Sequence, residues 1–256
     1  MYLIQELIPQ TAVDIAFKCN ILHEETENLL IVKGNILEIY DIKTNKNGNI
    51  NLIIRHIEEF YSNIIAISSF KFIDGKECLI LCFHNIKISI IQYDNIDKKM
   101  KLCYIYDMDI EINTEFVKER ALLCSNSVKS SCFLLFNDNI SLFSFKESQS
   151  NSSSFDLINE QINRYSLNLS QTELKIHKII DATFMTNYGN DTVGILYEPL
   201  STHINLLSSR SDTLKFTAII IDRDADILIP IWTINNLPFD SFKLLPICPS
   251  LGNLKD

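Results

Sequence analysis

Glycine and proline are scarce, six of each in 256 residues, which excludes collagen-like and Pro/Gly-rich low-complexity chains. An excess of positive charge is also missing: Lys and Arg number 23 against 32 Asp and Glu, for a formal net charge of −9. Bulk attraction to nucleic acid needs the opposite sign, so only a local basic groove would be compatible with such a role. No apolar run approaches the ~18 residues that span a bilayer, and Met1-Tyr-Leu-Ile-Gln-Glu-Leu7 has neither a basic leader nor a small-residue cleavage site. A soluble, intracellular chain with no membrane partner is expected. Gly-x-Ser-x-Gly, His-Glu-x-x-His, Gly-x-x-x-x-Gly-Lys and Gly-x-Gly-x-x-Gly are all absent, which removes the usual signatures of hydrolases, zincins and nucleotide binders. The five histidines (His23, His56, His84, His177, His203) are far apart, and none is paired in sequence with a Ser or Cys nucleophile.

What the chain has in quantity is apolar residues, 46% of the total, enough for a sizeable core without a metal or disulfide staple. The seven cysteines (Cys19, Cys78, Cys82, Cys103, Cys124, Cys132, Cys248) are odd in number and mostly sit inside apolar runs. They read as reduced core thiols. Cys78 and Cys82 would share a strand face but lie about 13 Å apart at ~3.3 Å per residue, too far to hold one zinc. Cys124 and Cys132 could meet across strands, yet no further ligands accompany them. Asp222-Arg-Asp-Ala-Asp226 opens like a calcium loop and then fails, with Ile227 where Gly is needed and Thr233 where Glu is needed. The acceptor triplets at Asn151, Asn168 and Asn190 are common by chance in an Asn- and Ser-rich chain. No catalytic, cofactor-binding or metal-binding residue is therefore assigned, and no cofactor is expected.

Short runs rich in Ile, Leu, Phe and Tyr recur between polar pairs, and helical periodicity is scarce, which predicts an all-β chain. Leu29–Lys33 meets Gly34-Asn35 and then Ile36–Tyr40, a hairpin whose Gly tolerates positive φ. The pattern repeats at Cys78–Phe83 with Ile86–Tyr93, and at Cys132–Phe136 with Asn139–Phe145. A fourth copy is expected at Thr217–Asp222 with Ala225–Trp232, preceded by a buried strand at Thr192–Tyr197. A period near fifty is the spacing of propeller blades, roughly 40 to 50 residues each. Candidate strands at Val13–Leu22, Asn51–His56, Ile64–Phe72, Lys101–Tyr106, Ala121–Ser125 and Lys178–Met185 would complete four-stranded units. The expectation is one WD-repeat-like β-propeller domain over 1–256, incomplete at about four to five blades. A polar loop insertion is expected at 146–160, around Ser148–Ser154. The chain stops at Asp256 with the hairpin rhythm unfinished, so a truncated chain, or a ring closed by other material, is expected. Lys98-Lys99-Met100-Lys101 reads as a solvated loop rather than a phosphate track, and the aromatics read as core.

The succession of these segments resembles one family, the N-terminal propeller of the largest subunit of the cleavage and polyadenylation specificity factor. The resemblance is carried by Trp232, Leu237, Pro238, Phe239 and Asp240, then Leu245 and Pro246. Further matches are Ile8–Val13, Asn28–Asn35, Ser89–Asp94 and Ile195–Pro199. Two related families share this propeller plan, a damaged-DNA-binding ubiquitin-ligase adaptor and a large spliceosomal subunit, and Leu30–Lys33 and Leu37–Tyr40 fit the adaptor almost as well. The chain departs from the family pattern at Leu251-Gly252-Asn253, where a Gly pair is usual, and at Ser144-Phe145, where Pro-Phe is usual. The resemblance implies a nuclear, non-catalytic scaffold in mRNA 3′-end processing. Its implied partners are a WD-repeat protein and a zinc-finger RNA-binding subunit, with pre-mRNA bound indirectly or weakly. The alternative it implies is an adaptor for ubiquitin ligation or DNA-damage recognition. Neither the residues nor the resemblance identifies which residues bind partners.

Overall fold

The computed structural model describes residues 11–22, 26–44, 48–71, 77–84, 87–107, 122–126, 131–136, 139–145, 162–169, 176, 178–185, 188, 191–199, 212–222 and 227–246. These residues form sixteen strands and no α-helix. The strands group into four antiparallel sheets of four, each a simple meander. The first sheet is β1 (Ile15–Cys19), β2 (Asn28–Lys33), β3 (Ile36–Thr44) and β4 (Ile50–Glu59), and the second is β5 (Ile64–Lys71), β6 (Glu77–Phe83), β7 (Lys87–Asp94) and β8 (Lys99–Asp107). The third is β9 (Leu122–Asn126), β10 (Ser131–Phe136), β11 (Asn139–Phe145) and β12 (Ile162–Asn168). The fourth is β13 (Ile179–Phe184), β14 (Thr192–Tyr197), β15 (Asp212–Asp222) and β16 (Ile227–Pro238). The sheets fall into two compact units, β1–β8 and β9–β16.

In the first unit, strand alternation decides what faces what. Along β2, Asn28, Leu30 and Val32 are buried while Leu29, Ile31 and Lys33 are half-buried. Leu30 and Val32, with Leu37 and Ile39 of β3, pack against Ile64, Leu79, Leu81, Phe83 and Ile91 of the second sheet. A fully buried Leu or Ile stabilises by about 1.5–3 kcal/mol relative to exposure, so this stripe is the main adhesive between the two sheets. The sheets approach most closely through their first strands, β1 beside β5. The Gly34-Asn35 turn joins β2 to β3 with Gly34 at φ 63°, a conformation that glycine adopts without steric cost. The same turn holds the link to the next sheet: Phe60 N donates to Asn35 O and Ile64 N to Gly34 O, both at 2.9 Å.

In the second unit, Phe133, Leu135, Ile140 and Leu142 of the third sheet pack on Phe184, Val193, Ile195, Tyr197, Ile219 and Ile221 of the fourth. The first strands again lie nearest each other, β9 beside β13. A hydroxyl chain crosses the fourth sheet, Tyr197 to Thr217 at 3.3 Å and Thr217 to Thr233 at 3.0 Å, so the buried Thr217 is satisfied on both sides.

Three of the fourth strands are bulged against the third, β4 and β8 once each and β16 at more than one place. Arg55 is the extra residue in β4 and Cys103 in β8, while β16 has Ile231 and, nearer its end, Asn235-Asn236 set against Lys215 alone. Bulges kink an edge strand and spoil it as a template for another strand, which is how exposed edges avoid end-to-end pairing.

All the strands expected from sequence are present, and the run Lys98–Lys101, expected to be a solvated loop, is strand from Lys99 onward. Residues 223–226 connect β15 to β16, the third and fourth strands, so the expected fourth hairpin copy is one strand out of phase. The middle hairpin of that sheet is β14–β15, whose fourteen-residue connection lacks the short turn chemistry that marked the others. The second strand of the second hairpin begins at Lys87, since Ile86 lies outside the described residues, and β12 had no sequence prediction. The polar stretch 146–160 and the turn at 137–138 lie outside the described residues.

Burial accounts for the thiols. Burial pushes the Cys82 thiol up to about 12; Cys19 rises to about 12 through burial and then the Glu77 charge, and Cys132 rises further through burial. Cys103 is half-buried on the outer strand β8. A thiol reagent in mildly alkaline buffer is expected to modify Cys103 in the native protein and to reach Cys82 and Cys132 only on unfolding. Peptide mass mapping checks this order, and native labelling of Cys82 at the rate of Cys103 would contradict the packing.

Candidate interaction surfaces

The sequence-derived candidates stay apart in the structure. His56 bonds Glu58 at 2.8 Å and lies edge-on to the Tyr93 ring at 5.5 Å, so it ties β4 to the second sheet. His84 donates its amide to Asn63 O. His23, His177 and His203 lie outside the described residues, as do Cys248 and residues 223–226 of the calcium-like segment. Cys78 and Cys82 occupy one face of β6, opposite Phe70 and Ala66. Cys124 opposes Phe133 while Cys132 opposes Ser125, so the register puts these two thiols on opposite faces of their sheet. Among the described residues no three His, Cys, Asp or Glu side chains form a metal-sized group. No described helix is long and apolar enough to cross a membrane.

Exposed apolar side chains concentrate on the fourth strands. On β4, Ile50, Leu52, Ile54 and Ile57 pair with Thr44, Ile42, Tyr40 and Glu38, which places all four on the sheet face turned away from the core. That face has a polar centre. Lys33 Nζ donates to Glu38 Oε1 at 2.9 Å, and Tyr40 OH donates to Glu38 Oε2 at 2.7 Å. Burial alone would raise the Glu38 carboxyl, but these two hydrogen bonds and the Lys33 charge outweigh it and hold the carboxyl below its ordinary 4.5. The Glu38 bond pushes the Tyr40 hydroxyl up to about 12, with burial second. An ion pair already satisfied on a largely apolar face can be covered by another surface without leaving a charge unpaired.

A second apolar surface lies on the fourth sheet, where Ile227, Ile229, Trp232 and Ile234 of β16 are exposed. The Phe216 ring lies against Trp232 with centroids 5.2 Å apart, and Trp232 Nε1 donates to Tyr188 OH at 3.2 Å. Phe216 covers Gly194 so closely that a Cβ there would sit 2.6 Å from its Cζ, so only glycine lets the ring lie flat on the sheet. Beyond β16 the chain turns at Phe239-Asp240 and continues to Pro246 without regular secondary structure. Leu244 N donates to the buried Asp181 carboxylate at 2.6 Å, with Lys243 Nζ 3.6 Å from the same oxygen. This tether fastens the segment to β13 and leaves Phe239, Phe242 and Leu245 exposed.

Four-stranded antiparallel meanders, joined in pairs through their faces and nearest at their first strands, are blades of a β-propeller. The family described as RSE1/DDB1/CPSF1 first beta-propeller matches residues 12–250. The chain belongs to that family. Cleavage and polyadenylation specificity factor subunit 1 of Drosophila melanogaster is 24% identical over 276 residues, covering 94% of this chain and 19% of that protein. Protein CFT1 of Yarrowia lipolytica is 23% identical over 269 residues, covering 98% of this chain and 21% of its own length. Protein cft1 of Schizosaccharomyces pombe is 33% identical over a shorter stretch of 88 residues, 34% of this chain and 6% of that protein. The chain thus spans about a fifth of the length of the first two relatives. The matching residues Trp232, Leu237 and Pro238 lie in β16, Phe239 and Asp240 form the turn after it, and Leu245 and Pro246 belong to the tethered segment.

Proposed function

We propose that the chain is a non-catalytic scaffold domain of a nuclear complex that cleaves and polyadenylates pre-mRNA. The observation that carries this reading is the match along nearly the whole chain to proteins named cleavage and polyadenylation specificity factor subunit 1 and CFT1. The surfaces support it: rigid sheets that expose apolar side chains on β4, β16 and the tethered segment suit protein docking, because contiguous exposed apolar area is a mark of interaction sites. A net charge of −9 favours protein partners over a long phosphate track. The partners of this reading are a WD-repeat protein and a zinc-finger subunit that contacts RNA. Affinity purification of the tagged protein from its own cells is expected to recover a poly(A) polymerase, a cleavage endonuclease and a zinc-finger RNA-binding protein. Recovery of a cullin ligase in their place would overturn the assignment in favour of a ubiquitin-ligase adaptor.

A further inference from the structure

Each sheet ends in a fourth strand that is an edge, and three of those four strands carry devices that spoil them as templates for another chain. β4 has its bulge at Arg55 and the charged residues Arg55, Glu58 and Glu59. β8 has its bulge at Cys103 and the charged residues Lys99, Lys101 and Asp107. β16 is bulged repeatedly and contains Pro230, which cannot donate to a ladder. β12 is the exception. Its residues, Ile162–Asn168, pair with β11 in unbroken register from Phe145↔Ile162 to Asn139↔Asn168, include no proline and carry one charged residue, Arg164. Among the described strands β12 pairs with β11 alone. Tyr165 and Leu167 stand opposite Leu142 and Ile140 and pack on the core of the β9–β16 unit. Ser166 is exposed on the other face, its hydroxyl 3.1 Å from that of Ser141.

We propose that β12 pairs antiparallel with β12 of a second copy of this chain, joining their two third sheets into one continuous sheet. An open, unbulged edge is completed by another extended backbone, and the sequence of β12 is suited to be its own partner. Pairing centred on Tyr165 sets Ile162 against Asn168, Asn163 against Leu167 and Arg164 against Ser166, so every residue of the strand is matched. Core-side residues of one copy then meet core-side residues of the other. A slip of one residue would turn the core side of one copy against the outer side of its partner. Centring the pairing on Arg164 would set like charges directly opposite each other, which is destabilising. The contact is isologous and closes at two copies. The edge of one short strand buries far less than the ~1,600 Å² of a standard interface, so the dimer is weak. This association goes beyond the docking role, and its failure would leave that role standing because the purification test reads other proteins.

The test is sedimentation velocity of the 256-residue chain over a concentration series at low salt. The weight-average mass is expected to rise from 29.5 kDa toward twice that value and no further. Ser166→Lys sets a second cation against Arg164 at both symmetric positions and should weaken association roughly tenfold, whereas Ser166→Glu sets a carboxylate there and should strengthen it. Both effects should shrink in high salt. Retained protection of the buried Cys132 thiol, on β10 of the same sheet, establishes that each variant is folded. A monomer at every concentration, a mass that climbs past two copies, or a dimer indifferent to both Ser166 variants would each overturn the proposal. A chain that stays monomeric while binding a labelled peptide of alternating Thr and Val would give the edge to a foreign strand and overturn it as well.

Discussion

Phe133→Ala is expected to destabilise the β9–β16 unit by about 3–5 kcal/mol, the range for truncating a large aromatic in a closed core. Phe133 is fully buried, and its ring meets Phe184 of the neighbouring sheet at 4.8 Å with planes inclined by 59°. The substitution removes apolar area and the tilted ring pair together, the latter worth about 0.5–1.5 kcal/mol beyond its area. Collapse into the gap is restricted, because Leu135, Ile140, Val193 and Ile195 belong to registered strands on both sides. The chain's one tryptophan, Trp232, lies in β16 of the same unit and gives a local fluorescence signal. The urea midpoint of that signal should fall sharply in the variant. A midpoint within experimental error of the parent would mean that the two sheets do not share this core.

The second large effect belongs to the other unit and comes from a polar residue. Asn28 is fully buried in β2; its Oδ1 accepts from Leu22 N at 3.1 Å, and its Nδ2 donates to Asp41 Oδ1 at 2.9 Å. Asp41 in turn accepts from Arg55 Nε at 2.5 Å, so one amide links the start of the β1–β2 connection to β3 and β4. Asn28→Leu keeps the volume and removes both bonds. It leaves an amide and a carboxylate short of a partner, which should cost about 2–3 kcal/mol. Thiol protection reports this unit, because Cys19 and Cys82 both lie in it and are buried. Their labelling in moderate denaturant should accelerate in the variant. Unchanged protection would show that the Asn28 network is incidental.

The contrast between these residues shows what the sequence could reveal. Phe133 lies in an apolar run, and its place in a core strand is legible from composition alone. Asn28 opens the strand Asn-Leu-Leu-Ile-Val-Lys, and nothing in that run announces that its amide is buried and doubly bonded. The hairpin at Gly34 is legible because positive φ has a residue signature. β12, Ile-Asn-Arg-Tyr-Ser-Leu-Asn, is too polar to signal a strand and is specified by its pairing with β11. The fourth sheet is mis-phased in sequence because its shortest connection is not its middle one. Bulges are the least legible: Cys103 looks like any other strand residue, yet it decides which side chains of β8 share a face. The Asp181 tether is equally hidden, since it joins residues 63 positions apart.

The central claim is that the chain builds four-stranded blades whose inner strands form the cores and whose fourth strands face outward. Native-state hydrogen exchange resolved by strand tests it most directly. The account predicts the slowest exchange in β2, β3, β6, β7, β10, β11, β14 and β15, with β4, β8 and β16 exchanging faster along their free edges. Protection as strong in β4 and β16 as in β6 and β14, in the isolated chain, would contradict it.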